Sequence, residues 1–98
     1  MGYYTDYTVS CDSTNVNARK NIQDELDKNP YKPYMGERFN AKWYDHDTDM
    51  INISRKFPDV TFILDGLGED DDTPWRTYYK NGGIQEATVT ISYSKCTL

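Results

Sequence analysis

The stretch VTFILD, at positions 60–65, decides the fold class of this chain. Val60, Phe62 and Leu64 recur at every second position, which predicts a β-strand with one buried face. Ile63 makes the opposite face apolar as well, which is typical of a strand in the middle of a sheet. We therefore expect a sheet with this segment at its centre.

Four further stretches show the alternation of half-buried strands. They are YYTDYTVSC at 3–11, RFNAKWY at 38–44, WRTYYK at 75–80 and ATVTISY at 87–93. The dipeptide Asn81-Gly82 follows the third of them and is a strong signal for a two-residue hairpin turn. The sequence thus predicts five strands.

A first helix is predicted over residues 14–28. Ala18, Ile22 and Leu26 recur every four residues and form a narrow apolar stripe. Ser13 or Thr14 is the candidate N-cap, and Asn29-Pro30 ends the helix.

A second helix is predicted over residues 47–57. Acidic residues lie in its first turn and Arg55-Lys56 in its last, so both ends match the helix dipole. Met50, Ile53 and Phe57 form its apolar face, and Pro58 ends it.

The resulting order, β-α-β-α-β-β-β, predicts an α+β fold: a ferredoxin-like two-layer sandwich with two helices on one face of a mainly antiparallel sheet. A chain of 98 residues is long enough for one core, so residues 1–98 are expected to form a single domain. The expected core residues are apolar or aromatic: Phe39, Trp43, Met50, Phe57, Phe62, Leu64, Val89 and Ile91. The opposite face of the sheet is expected to meet water or a partner: Thr8, Ser10, Lys42, Tyr44, Ile63, Arg76, Tyr78, Thr88 and Thr90.

Composition and charge narrow the possible functions. Apolar residues make up only 37% of the chain, but aromatic residues reach 14%, which favours a folded domain over a disordered acidic one. The net charge of −5 disfavours direct binding to nucleic acid or an anionic membrane and suits a basic protein partner. No apolar run approaches ~20 residues and no signal-peptide core is present, so we expect a soluble, cytoplasmic protein.

Metal sites and cofactors are not expected. Cys11 and Cys96 are the two cysteines and His46 is the one histidine, too few ligands for structural zinc. Two free thiols are favoured. The alternative is a disulfide between them, which would require the first and last strands to be neighbours. DHDTDM at 45–50 resembles the start of a calcium loop, but Met50 replaces the required glycine and Lys56 the required glutamate.

No enzyme class is indicated either. GLGEDD lacks the lysine of a phosphate loop and carries acids where phosphate would bind. A solvated acidic loop would not raise the pKa of one carboxyl above the other, as acid–base catalysis requires. A nucleophile with a neighbouring histidine is not indicated. We therefore expect no catalytic residue.

The acidic stretch DGLGEDDDTPWRTYY, at 65–79, remains to be explained. It is either a solvated connection between strands, for which Asp and Gly are suited, or a contact loop flanked by amphipathic aromatic side chains. Trp75 is correspondingly either a core anchor of its strand or a contact residue. The candidate partner-binding residues are Glu69, Asp70, Asp71, Asp72, Trp75, Arg76 and Tyr78.

Three short motifs lie within residues 42–83: Lys42-Trp43, Lys56-Phe57-Pro58-Asp59 and Lys80-Asn81-Gly82. In these motifs the segment resembles the ferredoxin-like domains of small phage and plasmid proteins of the YubB type. The resemblance implies a ferredoxin-like fold and an origin in a mobile element. It implies no catalytic residues.

These observations lead to a functional expectation. We expect a non-enzymatic phage or prophage protein that binds and inhibits a host protein with a basic surface, such as a defence or nucleic-acid-handling enzyme, in the manner of an anti-CRISPR protein. It should be a monomer or a weak dimer and need no cofactor. The alternative is a nucleic-acid-binding module in which Tyr44, Arg76 and Tyr78 stack on bases across the open sheet face.

Overall fold

The computed structural model describes residues 4–68, 74–87 and 96–98. Within these ranges the chain forms two helices and five strands. In chain order they are β1 (Thr5–Cys11), α1 (Val16–Leu26), β2 (Arg38–Ala41), α2 (His46–Lys56), β3 (Phe62–Gly68), β4 (Trp75–Lys80) and β5 (Gly83–Glu86).

The strands form one sheet in the order β2-β1-β3-β4-β5. Every pair of neighbours is antiparallel. β3 is the middle strand, as VTFILD predicts, with Leu64 opposite Val9 on one side and Thr77 on the other. The predicted α+β class with an antiparallel sheet is confirmed.

Both helices pack on the face of the sheet that carries the apolar side chains. Alternation along the strands places Val9, Leu64 and Tyr79 on this face, and all three are fully buried. Ile22 and Leu26 of α1 and Met50 and Ile53 of α2 complete the same hydrophobic cluster. Burial of these apolar surfaces is the main source of stability.

Most of the predicted core is found where expected. Trp43, Met50, Phe62 and Leu64 are buried, whereas Phe39 and Phe57 are partly buried at the edge of the cluster. Val89 and Ile91 lie outside the described residues.

Helix α1 begins slightly later than predicted. Asn15, rather than Ser13 or Thr14, is the N-cap: its side chain accepts the Ala18 N–H at 3.0 Å. Ser13 Oγ instead accepts the N–H of Asn15 at 3.3 Å. Asparagine reaches the first-turn amides as well as serine does, so composition alone does not choose between neighbouring cap residues.

Helix α2 agrees closely with its prediction. Asp47 and Asp49 lie in its first turn and Arg55 and Lys56 in its last. The helix ends two residues before Pro58. Lys56 also joins the two helices, because its Nζ lies 2.8 Å from Oε2 of Glu25 in α1.

The β4–β5 hairpin turns at Asn81-Gly82, as predicted. Both residues have positive φ, +46° and +81°, which is the pattern of a type I′ turn. The turn is fixed to α2, because Oγ of the buried Ser54 accepts the Gly82 N–H at 2.9 Å.

Some strands differ from their predictions at the ends. The central strand, predicted at 60–65, continues through Gly68 in register with Thr5 of β1, so Gly66-Leu67-Gly68 belongs to β3 and not to the connection after it. The strand that directly follows the turn is β5, Gly83–Glu86, a segment for which the sequence predicted no strand. Short two-residue turns place the partner strand immediately beside β4. The rest of the predicted strand at 87–93 lies outside the described residues.

Cys11 and Cys96 are both free thiols, as favoured. In the part of the chain that the structure describes, neither helix has the length and apolar character needed to cross a membrane.

Candidate partner-binding site

The structure describes three of the seven predicted contact residues, and these three lie on two sides of the sheet. Glu69, Asp70, Asp71 and Asp72 lie outside the described residues. Trp75 begins β4 and points to the helix side of the sheet. Side chains alternate between the two faces along a strand, so Arg76 and Tyr78, one and three positions after Trp75, point to the other side.

Trp75 packs into an aromatic cluster at one end of the core. Its ring is stacked on that of His46, with centroids 5.3 Å apart and planes 28° apart. The ring of Tyr7 meets Trp75 edge to face at 6.1 Å. Trp75 is only half-buried, so it anchors its strand and also presents a surface to solvent.

Beside Trp75 lies an open cleft of about 390 Å³, the Trp75 cleft. It lies where the start of α2 meets β1, β4 and the end of β5. Its described lining is Thr5, Tyr7, His46, Asp47, Trp75, Arg76, Thr77, Glu86 and Ala87.

Asp47 is the carboxylate that the fold positions most firmly in this cleft. Its Oδ1 accepts a hydrogen bond from the hydroxyl of the buried Tyr79. His46 Nδ1 lies 3.1 Å from the same oxygen, without the alignment of a hydrogen bond. Burial, and then this contact with Asp47, raise the pKa of Tyr79 far above its ordinary value.

The electrostatic character of the Trp75 cleft is acidic. Asp47 and the exposed Glu86 are its two carboxylates. The one basic residue in the described lining, Arg76, forms two bonds to Asp65, with Nε–Oδ1 at 2.6 Å and Nη2–Oδ2 at 3.0 Å. This contact with Asp65 raises the pKa of Arg76, and the carboxylate balances the positive charge of the guanidinium. The charges of Asp47 and Glu86 then dominate, so the cleft suits a cationic ligand.

The open-face platform expected for nucleic acid is not formed as predicted. Tyr78 lies on the face opposite the helices, but its side chain is only 7% exposed, so it offers no ring for a base to stack on. Tyr44 is 70% exposed, but β2 ends at Ala41 and Tyr44 belongs to the connection before α2. The alternation of residues along a strand predicts on which face of the sheet a side chain lies. It does not predict whether other residues cover that side chain.

His46, Asp47 and Glu86 are site residues that the sequence did not single out. His46 and Asp47 lie 28 or more positions before Trp75 in the chain, and their positions at a helix start are explained equally well by capping. In the described residues, no group of three or more His, Cys, Asp or Glu side chains is placed to hold a metal ion.

Comparison of this chain with protein-family models, curated proteins and solved structures found no match.

Proposed function

We propose that this protein is a non-enzymatic inhibitor that binds a basic surface of a host protein. The observation that supports this most is the Trp75 cleft, in which a half-exposed indole lies beside the carboxylates of Asp47 and Glu86. Tryptophan is a frequent anchor in interfaces, and carboxylates beside it favour a basic partner.

The rigidity of the cleft strengthens this argument. Trp75 is stacked on His46, and Asp47 is held by Tyr79, so neither side chain needs to be ordered when a partner binds. Pre-organisation of this kind lowers the entropic cost of association. The acidic residues 69–72 precede Trp75 in the chain and would add to the attraction of a basic partner at long range.

The class of partner follows from its charge. Proteins that handle nucleic acids carry basic channels, and carboxylates on a small rigid scaffold can occupy such a channel in place of phosphates. A host defence nuclease is therefore the proposed target, as for anti-CRISPR proteins. The ferredoxin-like arrangement and the mobile-element origin implied by the resemblance to YubB-type domains are part of this proposal.

The test is capture of the partner from lysates of candidate bacterial hosts, with identification by mass spectrometry. We expect a basic nucleic-acid-handling protein that is retained at low salt and released at high salt. Glu86→Gln should reduce its recovery, whereas Asp24→Asn, the same change of charge on the exposed side of α1, should not. Equal recovery with both variants, or no partner from several hosts, would count against the proposal.

A further inference from the structure

A second cleft, of about 310 Å³, lies against the first turn of α2. We call it the Tyr44 cleft; its described lining is Pro30, Tyr31, Trp43, Tyr44, Asp45 and Asp49. Asp45 and Asp49 are four positions apart and therefore share one face of the helix start. Asp47, in the Trp75 cleft, points away from that face.

Aromatic rings form the floor and a wall of the Tyr44 cleft. Trp43 is only 1% exposed and forms the floor. The ring of Tyr31 lies 6.1 Å from that of Trp43, and both Tyr31 and Tyr44 are exposed. Exposed aromatic faces attract cations through the negative charge of their π surfaces.

Tyr31, Trp43 and Asp49 of this cleft are held in place by hydrogen bonds. The Tyr31 hydroxyl donates to the Lys42 carbonyl at 2.8 Å, and its N–H donates to Asn29 Oδ1 at 2.9 Å. Asp49 Oδ2 accepts from Trp43 Nε1 at 2.7 Å and from Asn29 Nδ2 at 2.9 Å. The same asparagine thus orients a ring and a carboxylate of the cleft.

The charge of the cleft is negative. Asp45 is exposed, and its side chain makes no capping hydrogen bond to α2. The positive end of the helix dipole, equivalent to roughly +0.5 charge, is outweighed by the two carboxylates. No basic residue is present in the described lining.

From this geometry we propose that the Tyr44 cleft receives an arginine side chain of the basic partner. The inference rests on the proposed function. A guanidinium is planar, so it can stack on Tyr44 or Tyr31 while donating paired hydrogen bonds to a carboxylate. Both bonds to Asp49 use Oδ2, so the inference assigns Asp49 Oδ1 and the carboxylate of Asp45 to the guanidinium.

The test is a titration of the protein with the blocked tripeptide acetyl-Gly-Arg-Gly-amide, followed by two-dimensional NMR. The indole N–H signal of Trp43 is the reporter, because this group lies in the floor of the cleft and donates to Asp49. We expect a saturable shift of this signal with millimolar affinity. The tripeptide with citrulline, which has nearly the same shape but no charge, should give no saturable shift, and the lysine tripeptide should bind more weakly.

Matched variants locate the site. Tyr44→Ala and Asp45→Asn should each weaken arginine binding about threefold or more. Tyr34→Ala and Asp24→Asn alter an exposed tyrosine and an exposed acid outside the cleft and should leave binding unchanged. Tyr44 is exposed, so its replacement should not impair folding.

Three results would overturn the inference: equal shifts with citrulline, equal affinity for lysine, or no effect of Tyr44→Ala. The titration contains no partner protein, so it fails or succeeds independently of the capture experiment. Capture of a basic protein without tripeptide binding would refute the Tyr44 cleft alone. Tripeptide binding without any captured protein would refute the proposed function alone.

Discussion

The indole of Trp75 lies directly over Gly66, its partner across the β3–β4 pair. A Cβ atom at position 66 would fall 2.2 Å from Trp75 Cζ2, so no larger residue fits there without moving the ring. The glycine therefore lets Trp75 reach His46 and form one wall of the Trp75 cleft.

Gly66→Ala should consequently destabilise the protein by about 1–3 kcal/mol, because it overpacks a filled site. The emission of Trp75 should also change as its ring leaves His46. Chemical denaturation followed by tryptophan fluorescence measures both effects. Leu67→Ala, at the exposed next position, is the control and should have a small effect. A Gly66→Ala variant as stable as the native chain would contradict this packing.

Tyr79 should make stability sensitive to alkaline pH. Burial raises its pKa in the folded state above the ordinary value of 10.0, whereas the unfolded chain keeps that value. The stability that depends on the protonated hydroxyl is complete below about pH 10 and declines as the pH rises further, because only the unfolded state then loses the proton.

Tyr79→Phe should therefore lower the free energy of unfolding at pH 7 by about 1 kcal/mol and flatten its decline at alkaline pH. Some decline should remain, because burial also raises the pKa of Tyr7. Urea unfolding at pH 7 to 11 measures this, with Tyr34→Phe as the exposed control. An unchanged alkaline slope in Tyr79→Phe would exclude this role.

Ser54 of α2 should stabilise the β4–β5 hairpin through its hydrogen bond to the turn. Ser54→Ala leaves the Gly82 N–H without the acceptor that now lies 2.9 Å away, at a cost of about 1–3 kcal/mol. Thermal unfolding should show a fall of several degrees. Thr48→Ala, an exposed change on the same helix, should leave the melting temperature nearly constant. Equal melting temperatures for the two variants would show that the turn does not depend on Ser54.

The acidic segment should act on association rather than on folding. Changing Asp70, Asp71 and Asp72 together to Asn should leave stability level or slightly raised, since like charges on neighbouring residues of a chain repel each other. Association with the captured partner should slow about tenfold and lose much of its salt dependence, as surface plasmon resonance would show.

Other outcomes for the same variant have distinct meanings. A lower melting temperature, together with destabilisation of the native chain by chelator, would indicate a structural metal. Unchanged stability and unchanged association would make residues 69–72 a plain connection between strands.

Local patterns accounted for much of the scaffold but little of the site. The period of two in VTFILD and the stripe at Ala18, Ile22 and Leu26 placed a central strand and a helix. The Asn81-Gly82 turn and the ends of α2, whose charges match the helix dipole, were also predicted from the sequence. Of the predicted contact residues that the structure describes, Trp75 and Arg76 line the Trp75 cleft, and the contact of Trp75 with His46 had no signature in sequence.

The sequence by itself determined the features that depend on short segments or on composition. These are the periods of two and 3.6 residues, the helix caps, the turns and the net charge. Tertiary structure decided which segments meet. Strand order placed β3 between β1 and β4, and register then placed Trp75 over Gly66 and beside His46. It also buried Tyr78 on the face that alternation alone predicts to be open. The physical reason is that register and coverage depend on contacts between residues distant in the chain, and a local pattern carries no information about them.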